Sequence, residues 1–331
     1  MSSNTAGMKK IGVLTSGGDA PGMNAAIRAV VRTCVYYKLT PFGVKEGYEV
    51  LINNNIYKMD AGSVKHIIHQ GGTVLKSARS KEFMTDEGME KAWKNIDDIG
   101  LDGLVVIGGD GSFKGAMAFG ARFSFPIVGI PGTIDNDIYG TDQTVGFDTA
   151  TNTIIEAVDK IRDTATSHNR LFFIEVMGRD AGFIALNSGI AAGAEEILIP
   201  EKDRDVDHLF DSLERTSQRN KSSRLVIVAE GDKNGSVYDL EKQVQQRFGD
   251  RYETKVTILG HIQRGGRPSC YDRVLASRLG VRAVEALMDG QHYVMIGTRN
   301  KQIVYTNFEQ ATKQNPEMDE ELLRVAHIIS I

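Results

Sequence analysis

Only two cysteines, Cys34 and Cys270, occur in 331 residues, with no Cys-x-x-Cys spacing between them. That scarcity excludes a disulfide framework and a structural zinc site, and makes a reducing cytoplasm the expected location. Basic residues are not in excess, since 39 Lys and Arg face 43 Asp and Glu for a formal net charge of -4. A protein that grips nucleic acid or an anionic membrane carries the opposite imbalance, so any phosphate binding must be local. No apolar run approaches the ~20 residues that span a bilayer, and no apolar signal region follows the lysines of MSSNTAGMKK. Short repeats, low-complexity tracts and Pro/Ser linkers are missing too. The two domains expected at this length should therefore share interleaved segments.

Two familiar nucleotide motifs are also absent. The loop Ser16-Gly17-Gly18-Asp19-Ala20-Pro21-Gly22 lacks the Gly-Lys-Ser/Thr ending of a Walker A loop, and Gly109 to Gly115 carries one residue too many for the dinucleotide fingerprint, which counts against a dehydrogenase.

What is present is a repeated βα pattern. Short β-branched runs begin at Ile11, Leu104, Ile127, Phe172, Leu225 and Val256, each followed by a polar, glycine-rich loop and usually a helical pattern. Runs apolar throughout suit parallel strands buried on both faces, which predicts an α/β protein with two doubly wound, mainly parallel sheets. Helical periodicity is clearest over 149–164, where Ile154, Ile155, Val158 and Ile161 share a face. Glycine is enriched, at 35 of 331 residues, and ligands of open parallel sheets bind at the carboxyl ends of strands. Six such ends read TSGGDAPGMN, GGDGS, PGTIDND, MGRDAG, AEGD and GHIQRGG. Any one of them could be a simple turn; six at equivalent positions point to a site.

The chemistry of these loops is that of phosphoryl transfer. Glycines before the helix near Met23 expose backbone N–H groups to phosphate oxygens. Asp110 sits where a carboxylate can reach a divalent cation, Mg2+ by preference. In PGTIDND an extended loop would project Asp135 and Asp137 to one side, beside Thr133, so that one could accept a sugar hydroxyl proton while the other binds or orients. Arg179 can lie against a phosphoryl group in transit. Arg264 offers a fork for a phosphate monoester, with His261 as a nearby donor.

TSGGDAPGMNAAIR, GGTVLKSAR, VVIGGDGS, PGTIDNDI, EVMGR and LGHIQRGG together, in this order over about residues 8–280, resemble the bacterial-type ATP-dependent 6-phosphofructokinases. The resemblance implies transfer of the γ-phosphoryl of ATP to the 1-hydroxyl of fructose 6-phosphate. It implies Asp135 as general base with Asp137 beside it, Arg179 and Thr133 stabilising the transferring group, and Asp110 holding Mg2+. Gly18, Tyr48, Arg79, Ser80, Gly111 and Ser112 would line the nucleotide. Arg170, Met177, Gly178, Glu230, His261 and Arg264 would bind the sugar phosphate, along with Thr133, Asp135 and Arg179. Arg170 would reach in from a neighbouring subunit of a homotetramer. The larger, ATP- and Mg-binding domain would comprise 1–146 and 263–312, and the smaller, sugar-phosphate domain 147–262 and 313–331.

Gly111 and Gly132 stand where pyrophosphate-using relatives carry Asp and Lys, which favours ATP, because a carboxylate at 111 would repel the α-phosphate. Lys255 aligns where a second inter-subunit arginine is usual; Arg251 is the alternative. An effector pocket for ADP or phosphoenolpyruvate is implied in part, by Arg28, Arg32, Arg162, Glu195, Arg219 and Lys221. Ala61 and Ser223 replace its usual arginine and histidine.

Overall fold

The computed structural model describes residues 7–330 apart from Arg79, 166–169, 203–205, 218–222 and 232–234. Contacts divide the chain into two units: Met1–Thr133, Ile138–Thr149 and Arg264–Pro316 form one, and Ile134–Asp137, Ala150–Gln263 and Glu317–Ile331 the other.

In the first unit the strands are β1 (Lys10–Thr15), β2 (Thr40–Val44), β3 (Ile56–Lys58), β4 (Gly103–Gly108), β5 (Ile127–Thr133) and β6 (Val145–Gly146), joined by two late strands, β11 (Val294–Arg299) and β12 (Gln302–Asn307). Their order is β12-β11-β5-β4-β1-β2-β3, with β6 paired to β5. The centre is parallel, while β3 and β12 are antiparallel edges. The centre strands are the wholly apolar runs, and β4 and β5 are buried at every position, as strands covered on both faces must be. Helices α1 (Met23–Tyr36), α2 (Tyr48–Asn53), α3 (Asp86–Ile99), α4 (Asp110–Phe123), α9 (Cys270–Met288) and α10 (Phe308–Lys313) belong here, and α5 (Phe147–Ala165) starts here.

Local sequence explains where these helices begin and end. The hydroxyl of Thr85 caps α3 by accepting from Gly88 N–H at 3.1 Å, Asp86 and Glu87 meet its positive end, and Gly100 closes it in a left-handed turn. Met89, Trp93, Ala92 and Ile96 then turn one face to the core, where Phe83, Phe113, Phe119 and Phe125 pack. Full burial of a side chain of this size contributes ~1.5–3 kcal/mol.

The second unit holds β7 (Arg170–Val176), β8 (Glu196–Leu198), β9 (Ser223–Ala229) and β10 (Glu253–Ile258), all parallel in the order β10-β7-β9-β8. Helices α6 (Phe183–Ala192), α7 (Val206–Ser217), α8 (Val237–Phe248) and α11 (Glu320–Ile329) accompany them. Leu171, Phe173, Val226 and Val228 of the sheet pack on Leu209, Leu213, Leu240 and Val244 of the helices. A capping box between Ser236 and Asp239 starts α8. Both units are α/β and doubly wound, as the apolar runs predicted.

Candidate active site

In an open parallel sheet the crevice lies where successive connections leave in opposite directions. The first sheet reverses between β1 and β4, because β2 lies on one side of β1 and β4 on the other. Their loops meet there. Ser16 N–H donates to Ile107 O at 3.0 Å, and a Cβ on Gly108 would come within 2.5 Å of Ser16 O, so only glycine lets the two loops close. Each loop then enters a helix whose N-cap is a glycine, Gly22 for α1 and Gly109 for α4, with no side-chain cap on either. Both helix starts thus present backbone N–H groups of the kind that receive phosphate.

Asp110 opens α4 and pairs with Lys114 at 3.0 Å across a half-exposed surface. Ser112 is buried below, and its carbonyl accepts from the Tyr48 hydroxyl at 2.6 Å. Tyr48 stacks on Phe83 at 4.3 Å, and burial pushes its phenol pKa well up, so the ring works as a neutral wall. Ser80 caps Phe83 N–H at 3.0 Å; Arg79 lies outside the described residues. A Cβ on Gly111 meets nothing within 4 Å, whereas one on Gly132 would stand 3.0 Å from Ile107 and 3.1 Å from Met23. Nothing in the protein's own packing forbids a side chain at 111, while one at 132 fits only if Ile107 and Met23 give by a few tenths of an ångström.

Thr133 ends β5, where its carbonyl accepts from Thr144 Oγ1 at 2.6 Å. Arg264 lies on the glycine loop itself: its Nη1 donates to Asp19 O at 3.5 Å, and a Cβ on Gly18 would be 2.6 Å from that nitrogen. The structure therefore groups Arg264 with Gly18, although the resemblance assigns the two to different ligands. Asp272, unnoticed in the sequence, accepts from Gly146 N–H (2.9 Å), Thr149 N–H (2.8 Å) and the Thr149 hydroxyl (2.5 Å), tying the start of α5 to α9. Burial pushes its pKa up to about 6, with neutral donors opposing and the Asp148 charge adding to the rise. Its signal was present: Ser269-x-x-Asp272 is a helix-start pattern, and Ser269 Oγ does cap Asp272 N–H at 3.1 Å.

The second sheet reverses between β7 and β10, and again the loops beyond those strands meet. Three consecutive N–H groups after β7 are claimed by side chains. Met177 N–H donates to Gln263 Oε1 at 3.1 Å, and Gly178 and Arg179 donate to Glu230 Oε1 at 3.3 and 2.9 Å. Arg179 takes a left-handed backbone, φ 55°, uncommon for a residue with a side chain. Its Nε stands 3.6 Å from Asp135 Oδ2; the arginine is half exposed and the carboxylate only 3% exposed. Burial and the Glu230 charge together raise the pKa of Glu175, one residue inside β7 from this loop.

The extended run expected over Asp135–Asp137 is not found. Asn136 is left-handed at φ 53°, so the chain bends, leaving Asp135 buried and Asp137 partly exposed. Asparagine tolerates that conformation better than most residues, and so it makes the bend possible. Arg170 and Lys255 are brought together by a residue the sequence reading missed, Glu253, whose two oxygens pair with Arg170 Nε and Lys255 Nζ at 3.1 Å each. His261 is exposed on the turn after β10.

Of the effector residues, Arg28 and Arg32 lie on α1, and Arg28 has its pKa lowered by burial and by the Arg32 charge. Arg162 bonds Ala192 O, and buried Glu195 accepts from Leu225 N–H at 2.6 Å. Arg219 and Lys221 lie outside the described residues, as does the side chain of Ser223. Ala61 is partly exposed.

The chain is similar to known proteins over most of its length. The family model described as phosphofructokinase matches residues 10–287. An ATP-dependent 6-phosphofructokinase of Halalkalibacterium halodurans is 53% identical over 324 residues, 98% of this chain and 100% of that protein. A phosphofructokinase structure from Saccharomyces cerevisiae superposes with a TM-score of 0.86 at 38% identity, over 97% of this chain and 46% of that one. The chain thus spans under half of the yeast chain but the whole bacterial relative. A pyrophosphate-dependent phosphofructokinase from Marinobacter aquaeolei superposes with a TM-score of 0.82 at 22% identity, over 97% of this chain and 91% of that one, a likeness of fold alone. With a family match across most of its length and a relative of the same size at this identity, the chain belongs to the phosphofructokinase family.

Proposed function

We propose that this chain transfers the γ-phosphoryl group of ATP to the 1-hydroxyl of fructose 6-phosphate, giving fructose 1,6-bisphosphate and ADP. The observation that carries the reading is the buried Asp135 carboxylate with the Arg179 guanidinium 3.6 Å away, on loops that follow strand ends. A base beside a cation is what the transfer requires: Asp135 takes the hydroxyl proton, while Arg179 meets the charge spread over the moving phosphoryl oxygens. Thr133 supports that group, and Asp137 orients the acceptor.

The larger unit is assigned to the nucleotide. Gly18 and Gly111 offer backbone N–H groups to its phosphates, beside Ser112, whose own N–H donates to Gly109 O at 3.0 Å; Tyr48 and Ser80 wall the pocket, and Arg79, outside the described residues, is assigned to the nucleotide by resemblance. No group of three or more His, Cys, Asp or Glu able to hold a metal occurs among the described residues; the carboxylate proposed to hold one is Asp110. That suits Mg2+, which takes one or two carboxylates and completes its shell with phosphate oxygens and water. When bound, it neutralises phosphate charge; Asp110 would exchange its Lys114 contact for that role.

The smaller unit is assigned to the sugar phosphate. Arg170, Lys255 and His261 supply donors, Glu230 accepts from a sugar hydroxyl, and Met177 and Gly178 line the site; Arg264 is a further donor that the resemblance implies for the sugar phosphate. Arg170 serves a neighbouring subunit of a homotetramer. ADP or phosphoenolpyruvate is the effector class proposed, with Arg28 and Arg32 of α1 and Arg162 of α5 as candidate ligands. The reaction belongs to the cytoplasm.

A coupled assay with fructose 6-phosphate and Mg2+, run in parallel with ATP, GTP and pyrophosphate, tests the reading. ATP should support turnover and pyrophosphate should not; the reverse preference would overturn it.

A further inference from the structure

The loop carrying Arg179 holds an uncommon backbone, and something must impose it. A left-handed non-glycine residue costs on the order of 1 kcal/mol and persists only where its surroundings over-determine it. Two side chains surround this one. Glu230 takes the N–H groups of Gly178 and Arg179, and Gln263 takes that of Met177.

Gln263 is wholly buried, and both ends of its amide are used. Its Oε1 accepts from Met177 N–H at 3.1 Å, and its Nε2 donates to Gly260 O at 2.9 Å. Only this orientation works, because the flipped amide would set donor against donor and acceptor against acceptor. Alongside, Leu259 N–H donates to Glu175 O at 3.1 Å, carrying the β10–β7 pairing up to the crevice. Gln263 is the next tie beyond the last ladder bond, and it joins the two loops at the reversal point of the second sheet.

We propose that Gln263 is a positioning residue for Arg179: its amide fixes the start of the Met177–Arg179 turn and so the direction in which the guanidinium leaves it toward Asp135. The inference rests on the phosphoryl-transfer reading of Arg179 given above. An unbridged turn would let Met177 N–H seek water and Arg179 relax to an ordinary backbone, with the guanidinium leaving Asp135. Rate would fall while ATP still bound, since Gln263 touches neither the glycine loop nor α4 in the contacts described.

The test is a double-mutant cycle. Gln263→Leu should lower kcat ~10–100-fold, the scale of effect expected from misplacing a catalytic group by about 1 Å, with KM for ATP within about twofold of wild type. In an Arg179→Ala background the same substitution should add less than about threefold, because the group it positions is gone. Gln263→Asn, one methylene short, replaces the leucine variant if that chain fails to fold. Independent losses in the two backgrounds, or an unchanged kcat, would overturn the proposal. Hydrogen exchange at Met177 should be at least ~10-fold faster in the leucine or asparagine variant; unchanged protection sinks the proposal even if wild type transfers no phosphoryl group at all, an outcome that would sink the functional reading separately.

Discussion

Asp135 and Arg179 carry opposite charges and opposite degrees of burial, 3% against 50% exposed. A buried acceptor next to an exposed cation suits a group that must take a proton and a group that must move with its substrate. Replacing Asp135 with serine should lower kcat by roughly 10²–10⁴, the usual worth of a general base, with KM for both substrates largely kept. Near-normal turnover in steady-state assays would remove Asp135 from that role. Gly111 makes the matching point for the nucleotide. Its missing side chain answers to no neighbour in the protein, so Gly111→Asp should fold normally yet raise KM for ATP at least ~10-fold by placing like charges together. Thermal melts and ATP titrations of that variant separate the two effects.

Among the elements, α9 holds the least obvious tie. Its Asp272 is a buried carboxylate serving three donors at the start of α5, with a pKa pushed up to about 6. A folded-state pKa above the unfolded one means that the group's stabilising contribution is complete below about pH 4 and lost as pH rises through 6. Relative to Asp272→Asn, which cannot ionise, wild type should lose roughly 2 kcal/mol of its advantage between pH 4 and pH 7. Melting temperatures of both proteins across that range should approach each other; a constant gap would refute the titration.

The elements also mark what the sequence discloses. β1, β4, β5, β7 and β9 were legible because strands buried on both faces write themselves as unbroken apolar runs. β2 (TPFGV), β3 (IYK) and β12 (QIVYTN) were not, since short or edge strands mix polar and apolar residues. The same contrast holds in the site. Asp110, Asp135 and Arg179 stood out because glycine and proline frame them, whereas Gln263, though inside GHIQRGG, and Glu253 act through partners 86 and 83 residues away that local spacing does not show. The bend at Asn136 depends on a single φ angle, which spacing alone cannot reveal.

For the whole molecule, the expected sharing of sites between subunits can be tested by mixing. Asp135→Ser and Arg170→Ala chains, each nearly inactive, should regain a measurable fraction of wild-type activity when dissociated and reassembled together, because some interfaces would then combine an intact base with an intact arginine. No recovery on mixing would place Arg170 in the service of its own chain, where it already meets Glu253 at 3.1 Å.

Each sheet has its own point of reversal, and the loops after β1 and β4 fall in one unit while the Met177–Arg179 turn falls in the other. A Cβ at Gly111 meets no residue of that turn, so divergence in one set of loops need not be repaid by redesign of the other.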